Sequence, residues 1–259
     1  MKRLGLIAAV LLGMAGTAEA AKCGNTGAGF DAWKQAFAAE ARANGVGPKG
    51  LKALAATSYA TATIKADRNQ KSFKLSLEQF MQKRGAATII AQGKKLKVKN
   101  AKLFATLEKR FGVKPGPLIA IWGMETAFGA YMGNQNTVSA VATLAYDCRR
   151  PEFFTEQLID ALKLVDKGIL SSSSRGAMHG ELGQTQFLPK NVFLYGADGD
   201  GGGINLNGKA DALASTARFL KGHGFPSSGP YSGGDFAGWN AASVYQKALA
   251  IMANKIDGE

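Results

Sequence analysis

Hydrophobic residues recur along most of the chain in steps of three and four, the period of helices with one buried face. Trp33, Phe37 and Ala41 make one such stripe, and Asp31 stands where it can cap the helix that carries them. Pro48 suits the first turn of a second helix, predicted to run through Ala56. Residues 57–72 are polar with little helical period and read as a loop or extended arm. Ser76-Leu77-Glu78-Gln79 is a capping-box pattern ahead of Phe80 and Met81. Helices follow around 85–93 and 100–111. Pro115-Gly116-Pro117 then opens the most apolar helix, 118–128, closed by Gly129. The pattern predicts four more, at 136–146, 151–167, 209–221 and 240–255. Residues 168–186 are rich in Gly and Ser and hold no clear element. The strand signal is weak throughout, so the chain reads as mostly helical, with at most a small sheet.

The first twenty residues do not fit that picture. Lys2 and Arg3 precede an apolar run from Leu4 to Gly16, and Ala18-Glu19-Ala20 is a cleavage pattern. This reads as a secretory signal over 1–20, leaving one domain over 21–259 in the periplasm or secreted. The run is short for the ~20 residues of a membrane span. Lys22 before Cys23 argues against lipid attachment, and no later segment is apolar enough to span a bilayer. Export changes how the two cysteines read: in an oxidising compartment Cys23 and Cys148 are expected to pair, the alternative being two buried thiols. Two Cys and two His exclude a Cys-based zinc site, a three-His metal site, haem attachment and iron–sulfur clusters. The net charge of +13 would suggest nucleic acid in the cytosol. Outside it, cell-wall polymers and anionic head groups are the expected polyanions. The densest basic run, Lys94 to Lys102, lacks aromatics for base stacking and reads as a solvated helix face.

Candidate chemistry centres on Glu125, one carboxylate inside the apolar run Ile121-Trp122-Gly123-Met124-Glu125-Thr126-Ala127-Phe128. Burial and the negative end of the helix both disfavour its anion, which suits a general acid near neutral pH. A Glu paired with a buried Arg fits the same pattern. The motif Gly123 to Gly129 resembles the catalytic helix end of the lytic murein transglycosylase B family. Further matches follow in order: Met132-Gly133, Ala142 to Tyr146, Arg149 to Phe154, Gly183-Gln184-Thr185-Gln186-Phe187-Leu188-Pro189, Ala210 to Ser215, Lys221 to Phe225, and Trp239-Asn240 through Tyr245. The similarity covers about residues 25–256.

The resemblance implies a lysozyme-like α+β fold, predominantly helical, with a long cleft, its cleft helix at about 117–129. The implied substrate is the glycan of peptidoglycan, and the implied reaction is cleavage of the MurNAc–GlcNAc bond with formation of a 1,6-anhydro end. A non-catalytic or hydrolytic peptidoglycan-binding protein is the alternative. Glu125 would be the sole acid and base, since no matching motif supplies a second carboxylate for proton transfer. Gln186 and Asn240 would bind sugar, though a loop-stabilising amide and a helix cap are their bland alternatives. Arg150 would reach substrate carboxyl or lactyl groups, or lie solvated at the surface. Tyr146, Phe153 and Phe187 would stack on sugars, or belong to the core. A serine common in the family ahead of the glutamine motif is missing, with Ala177 or His179 near its place. No cofactor is required. Some members bind calcium in an EF-hand-like loop; Asp198 and Asp200 are retained here and Asp211 could join them, but Gly202 occupies the fifth place. The expected partners are glycan strands, with no nucleic acid and no membrane span, and the protein is expected to be a monomer.

Overall fold

The computed structural model describes residues 22–69 and 75–259; residues 1–20, where a signal is expected, lie outside them. Twelve α-helices are present among these residues. The first, α1 (Phe30–Ala43), buries Phe30, Trp33, Phe37 and Ala41 on one face, as the stripe predicts. Asp31 sits in its first turn, paired with Lys34 at 2.9 Å, while Gly29 takes the cap position. α2 (Pro48–Ala55) begins at its proline.

Then comes a departure. α3 (Thr61–Arg68) occupies the stretch read as a loop, and the end of that stretch, 70–72, lies outside the described residues. Its buried face is Thr63, Ile64 and Asp67, mostly polar, so it carries no apolar period for the sequence to reveal. Polar contacts anchor its start: the amides of Ser58 and Ala60 donate to the hydroxyls of Ser139 and Thr143.

α4 (Leu77–Lys83) starts with the expected capping box, Ser76 and Gln79 each accepting from the other's backbone. α5 (Ala86–Lys99) extends about six residues past its predicted end. α6 (Ala101–Phe111) stops at Gly112 in the left-handed region. α7 (Pro115–Thr126) is buried almost all round, which is why its sequence is apolar on every face. Gly116 lets it touch the last helix: a Cβ there would lie 2.4 Å from the Ala253 carbonyl oxygen. The strands β1 (Gln135–Asn136) and β2 (Arg175–Gly176) form one short antiparallel pair. Between them run α8 (Thr137–Tyr146), capped by Asn136, and α9 (Pro151–Asp166). α10 (Pro189–Tyr195), α11 (Lys209–Gly222) and α12 (Ser243–Asp257) complete the order. α10 has no counterpart among the predicted helices: seven residues are too few for a period to register.

The buried side chains form two clusters. One packs α5, α6, α7, α11 and α12 around Leu118, Ile121, Leu213 and Leu249. The other packs α1, α2, α8 and α9 around Phe37, Leu144 and Leu158. Cys23 and Cys148 are joined by a disulfide, with Cα atoms 5.0 Å apart across 125 residues. The Gly24 amide donates to the Tyr146 carbonyl beside it, at 2.9 Å.

Candidate active site

The last turn of α7 carries Glu125, and the chain then turns sharply. Ala127, Phe128 and Gly129 all have positive φ, at 48°, 63° and 89°. Two successive non-glycine residues in that region are uncommon and need surrounding support. Support comes from the glutamine loop. The Thr126 hydroxyl donates to the Gln184 carbonyl at 2.6 Å and accepts from the Gly129 amide at 2.9 Å. Trp122 Nε1 donates to Gln184 Oε1 at 2.8 Å. In the same loop Gly183 has φ 68°, and a Cβ there would lie 2.3 Å from the Leu206 carbonyl oxygen. The motif around Glu125 and the motif around Gln186 are therefore one interlocked unit.

Glu125 opens onto a cavity of about 260 Å³, lined with Glu181, Gln186, Phe187, Asn191 and Asn240 among others. Trp239 Nε1 donates to Glu125 Oε1 at 3.0 Å, and the Tyr245 hydroxyl donates to the same oxygen at 2.6 Å. Both donors hold Oε1, and neither bonds Oε2. Burial pushes the Glu125 carboxyl above the usual range, and the negative charge of Glu181 adds to it. The two donors and the Arg84 charge pull the other way without reversing it. Burial and the adjoining Glu125 charge keep Tyr245 well above the ordinary tyrosine range, so it remains a donor. Glu125 makes no ion pair among the described residues; Arg84 instead donates to the Met124 carbonyl at 3.1 Å. The reading of Glu125 as a partner of a buried Arg is not what the site contains.

The other sequence candidates divide. Gln186 lines the cavity with φ 55°, and its amide donates to the Gly183 carbonyl at 2.9 Å. Phe187 is 2% exposed and forms a wall with Trp239 and Phe219, ring centroids 5.4 and 5.8 Å away. Asn240 lines the cavity while its Oδ1 accepts the Ala242 amide at 2.9 Å, so it also shapes the entry to α12. Three candidates lie elsewhere. Tyr146 is 4% exposed and packs among Phe30, Trp33 and Tyr59, because it ends a helix buried on all sides in the second cluster. Arg150 is committed to the buried Asp67, with its guanidinium over the Phe154 ring. Phe153 is exposed on α9, edge-on to Phe154, and does not line the cavity around Glu125.

Sequence reasoning gave no role to Trp239, Tyr245 or Glu181. Trp239 and Tyr245 stand more than a hundred residues after Glu125, and nothing local announces that α12 crosses behind α7.

Asp198, Asp200 and Asp211 do converge, with one oxygen of each within 4.8 Å of the others. The carboxylate set fits calcium in kind. Its oxygens already accept backbone amides: Asp198 from Asp200, Gly201 and Gly203, and Asp211 from Gly199 and Asn205. Gly202 offers no side chain at the fifth place.

The family described as Transglycosylase SLT domain matches residues 29–233 of this chain. The chain belongs to that family. The Transglycosylase SLT membership bears out the resemblance seen in the motifs. Membrane-bound lytic murein transglycosylase B of Escherichia coli K12 is 35% identical over 118 residues, which are 44% of this chain and 33% of that protein. The chain thus aligns with about a third of this curated relative. Among solved structures, SltB3 of Pseudomonas aeruginosa in complex with NAG-NAM-pentapeptide superposes with a TM-score of 0.81 at 26% identity, covering 89% of this chain and 80% of that one. A second SltB3 structure, in complex with NAG-anhNAM-pentapeptide, gives 0.72 at 35% identity, covering 78% and 55%. The fold is therefore that of this transglycosylase family, helical and lysozyme-like, as expected.

Proposed function

We propose that this protein is a periplasmic or secreted lytic transglycosylase, which cleaves the MurNAc–GlcNAc bond of peptidoglycan and leaves a 1,6-anhydro-MurNAc end. The observation that carries the reading is Glu125: a carboxyl with raised proton affinity, fixed by Trp239 and Tyr245, opening on a cavity lined with amides and aromatic rings. Family membership and the muropeptides bound by the two SltB3 structures support the substrate class.

The proposed steps assign the chemistry implied by the resemblance to the residues around Glu125. Glu125 enters protonated and gives its proton from Oε2 to the glycosidic oxygen as the C1–O bond breaks. The substrate's own acetamido oxygen takes up the positive charge at C1. The Glu125 anion is then stabilised at Oε1 by the Trp239 and Tyr245 donors. It removes the proton from the C6 hydroxyl, whose oxygen displaces the acetamide and closes the anhydro ring. No water is consumed, and Glu125 ends protonated. Gln186 and Asn240, which line the cavity, would hold sugar hydroxyls or the acetamido group, and Phe187 with Trp239 would pack against a ring face. Calcium held by Asp198, Asp200 and Asp211 would tie their loop to α11; no step of the reaction passes through it.

Glu125→Gln keeps the shape and removes proton transfer. Turbidity of a wall suspension should fall with the wild type and stay level with the variant, a loss of at least ~10²–10⁴-fold. Sedimentation with insoluble peptidoglycan should show binding retained. Near-normal clearing by the variant would place the acid elsewhere.

A further inference from the structure

The cavity contains a second carboxylate that no matching motif announced. Glu181 lies in the loop between β2 and α10, five residues before Gln186, and lines the cavity with Glu125. Its backbone is fixed: its carbonyl accepts the Ala177 amide at 2.9 Å, and Leu182 pairs with Phe187 in both directions. His179 fixes its side chain, the amide donating to Oε2 at 2.9 Å and Nδ1 lying 3.2 Å from Oε1. On its far side, His179 Nε2 is 3.8 Å from Asp67 Oδ1. Asp67 in turn holds Arg149 and Arg150, which is where the arginine pair of the family-like motif is spent. A line of charged and polar groups thus runs from the two arginines through Asp67 and His179 to the cavity.

The two cavity carboxyls are driven apart. Burial pushes Glu181 up, but the hydrogen bonds and charge of His179, with a backbone donor, outweigh it and hold Glu181 below the usual range. Glu125 is pushed above it. A pair so divided marks one group as the acid and the other as a standing anion. The groups facing Glu125 are Tyr245 at the start of α12, Trp239 in the turn before it, Arg84 after α4, and Glu181. Those facing Glu181 are His179 and Glu125. A quarter of the Glu181 side chain stays exposed, and each carboxylate oxygen has a second lone pair to offer.

We propose that Glu181 is a second catalytic carboxylate of this cleft, a fixed anion that accepts the substrate's acetamido N–H and stabilises the positive charge that develops as the glycosidic bond breaks. This deepens the function proposed above and rests on it. When the acetamido oxygen bonds C1, the positive charge spreads onto the amide nitrogen, so its N–H becomes a stronger donor toward Glu181. Glu181 forms no covalent bond and transfers no proton. Both proton movements stay with Glu125.

The test is steady-state cleavage of soluble, un-cross-linked glycan strands by Glu181→Gln and Glu181→Asp. Glu181→Gln should lose roughly a hundredfold in kcat with KM little changed. The basic limb of its kcat/KM profile should move to lower pH, because Glu125 loses the neighbouring anion and ionises more readily. Glu181→Asp should keep the limb in place and most of the rate. Glu181→Ala, which leaves no amide to oppose His179, should recover rate on addition of formate. The thermal midpoint of each variant reports its fold. A folded Glu181→Gln with an unmoved basic limb would overturn the proposal, as would equal losses in the Gln and Asp variants without rescue by formate. The end group made by the wild type reads the function itself: a reducing end there would sink the transglycosylase reading, whatever the Glu181 variants do.

Discussion

Glu125 stood out in the sequence because a charged residue in an apolar helix has few explanations, and the resemblance chose between them. Its surroundings were not, because they are assembled from distant segments. Tyr245 carries the next prediction. Its hydroxyl donates to Glu125 at 2.6 Å, and a hydrogen bond to a charged group is worth ~1.5–3 kcal/mol when buried. Tyr245→Phe should lower kcat about 10–100-fold, because the donor serves the anion that forms after proton transfer. Glu125 works as an acid from its protonated form, so activity falls as pH rises through its raised pKa. Removing a donor to the anion raises that pKa further, and the basic limb of the pH–rate profile should move to higher pH. That shift is opposite in sign to the one expected of Glu181→Gln. The sequence candidates that lie away from the Glu125 cavity do so for one reason. Tyr146, Phe153 and Arg150 sit in motifs whose spacing marks the fold, and a sequence match does not separate a residue that builds the cleft from one that lines it.

Among the elements, those with an apolar stripe or a proline start were found within a few residues, α1, α2, α7, α8, α9 and α11 among them. α3 escaped because its inward face, Thr63, Ile64 and Asp67, is mostly polar, and the arginines that pair with Asp67 are brought near only by the fold. β1 and β2 are two residues each, below the length at which alternation can register. The pairing of the cysteines was legible from export and number, and its place is now clear: it fastens the start of the described chain to the end of α8. In the chain-entropy picture, a bridge closing 125 residues contributes about 4–5 kcal/mol. Replacing Cys23 and Cys148 together with Ser should lower the thermal midpoint by about 10–20 °C, read by calorimetry without reductant. An unchanged midpoint would mean the bridge constrains nothing that the Gly24–Tyr146 backbone bond does not already hold.

The whole molecule carries a net charge of +13, and no helix of the described residues is long and apolar enough to cross a membrane. Such a charge should draw the protein to anionic wall polymers by an attraction that salt screens over ~8–10 Å at moderate ionic strength. The fraction sedimenting with insoluble peptidoglycan should fall as salt is raised from low to high. Retention independent of salt would assign binding to the cleft alone. Fold and family were legible at this scale because several motifs fall in order along one chain, each weak alone and strong together. The central claim is that one carboxyl performs both proton transfers and that the C6 hydroxyl replaces water. Mass spectrometry of the fragments released from purified peptidoglycan tests it most directly. The account predicts muropeptides ending in 1,6-anhydro-MurNAc, lighter by one water than their hydrolytic counterparts. Fragments ending mainly in reducing MurNAc would contradict it, and the protein would then be a hydrolase.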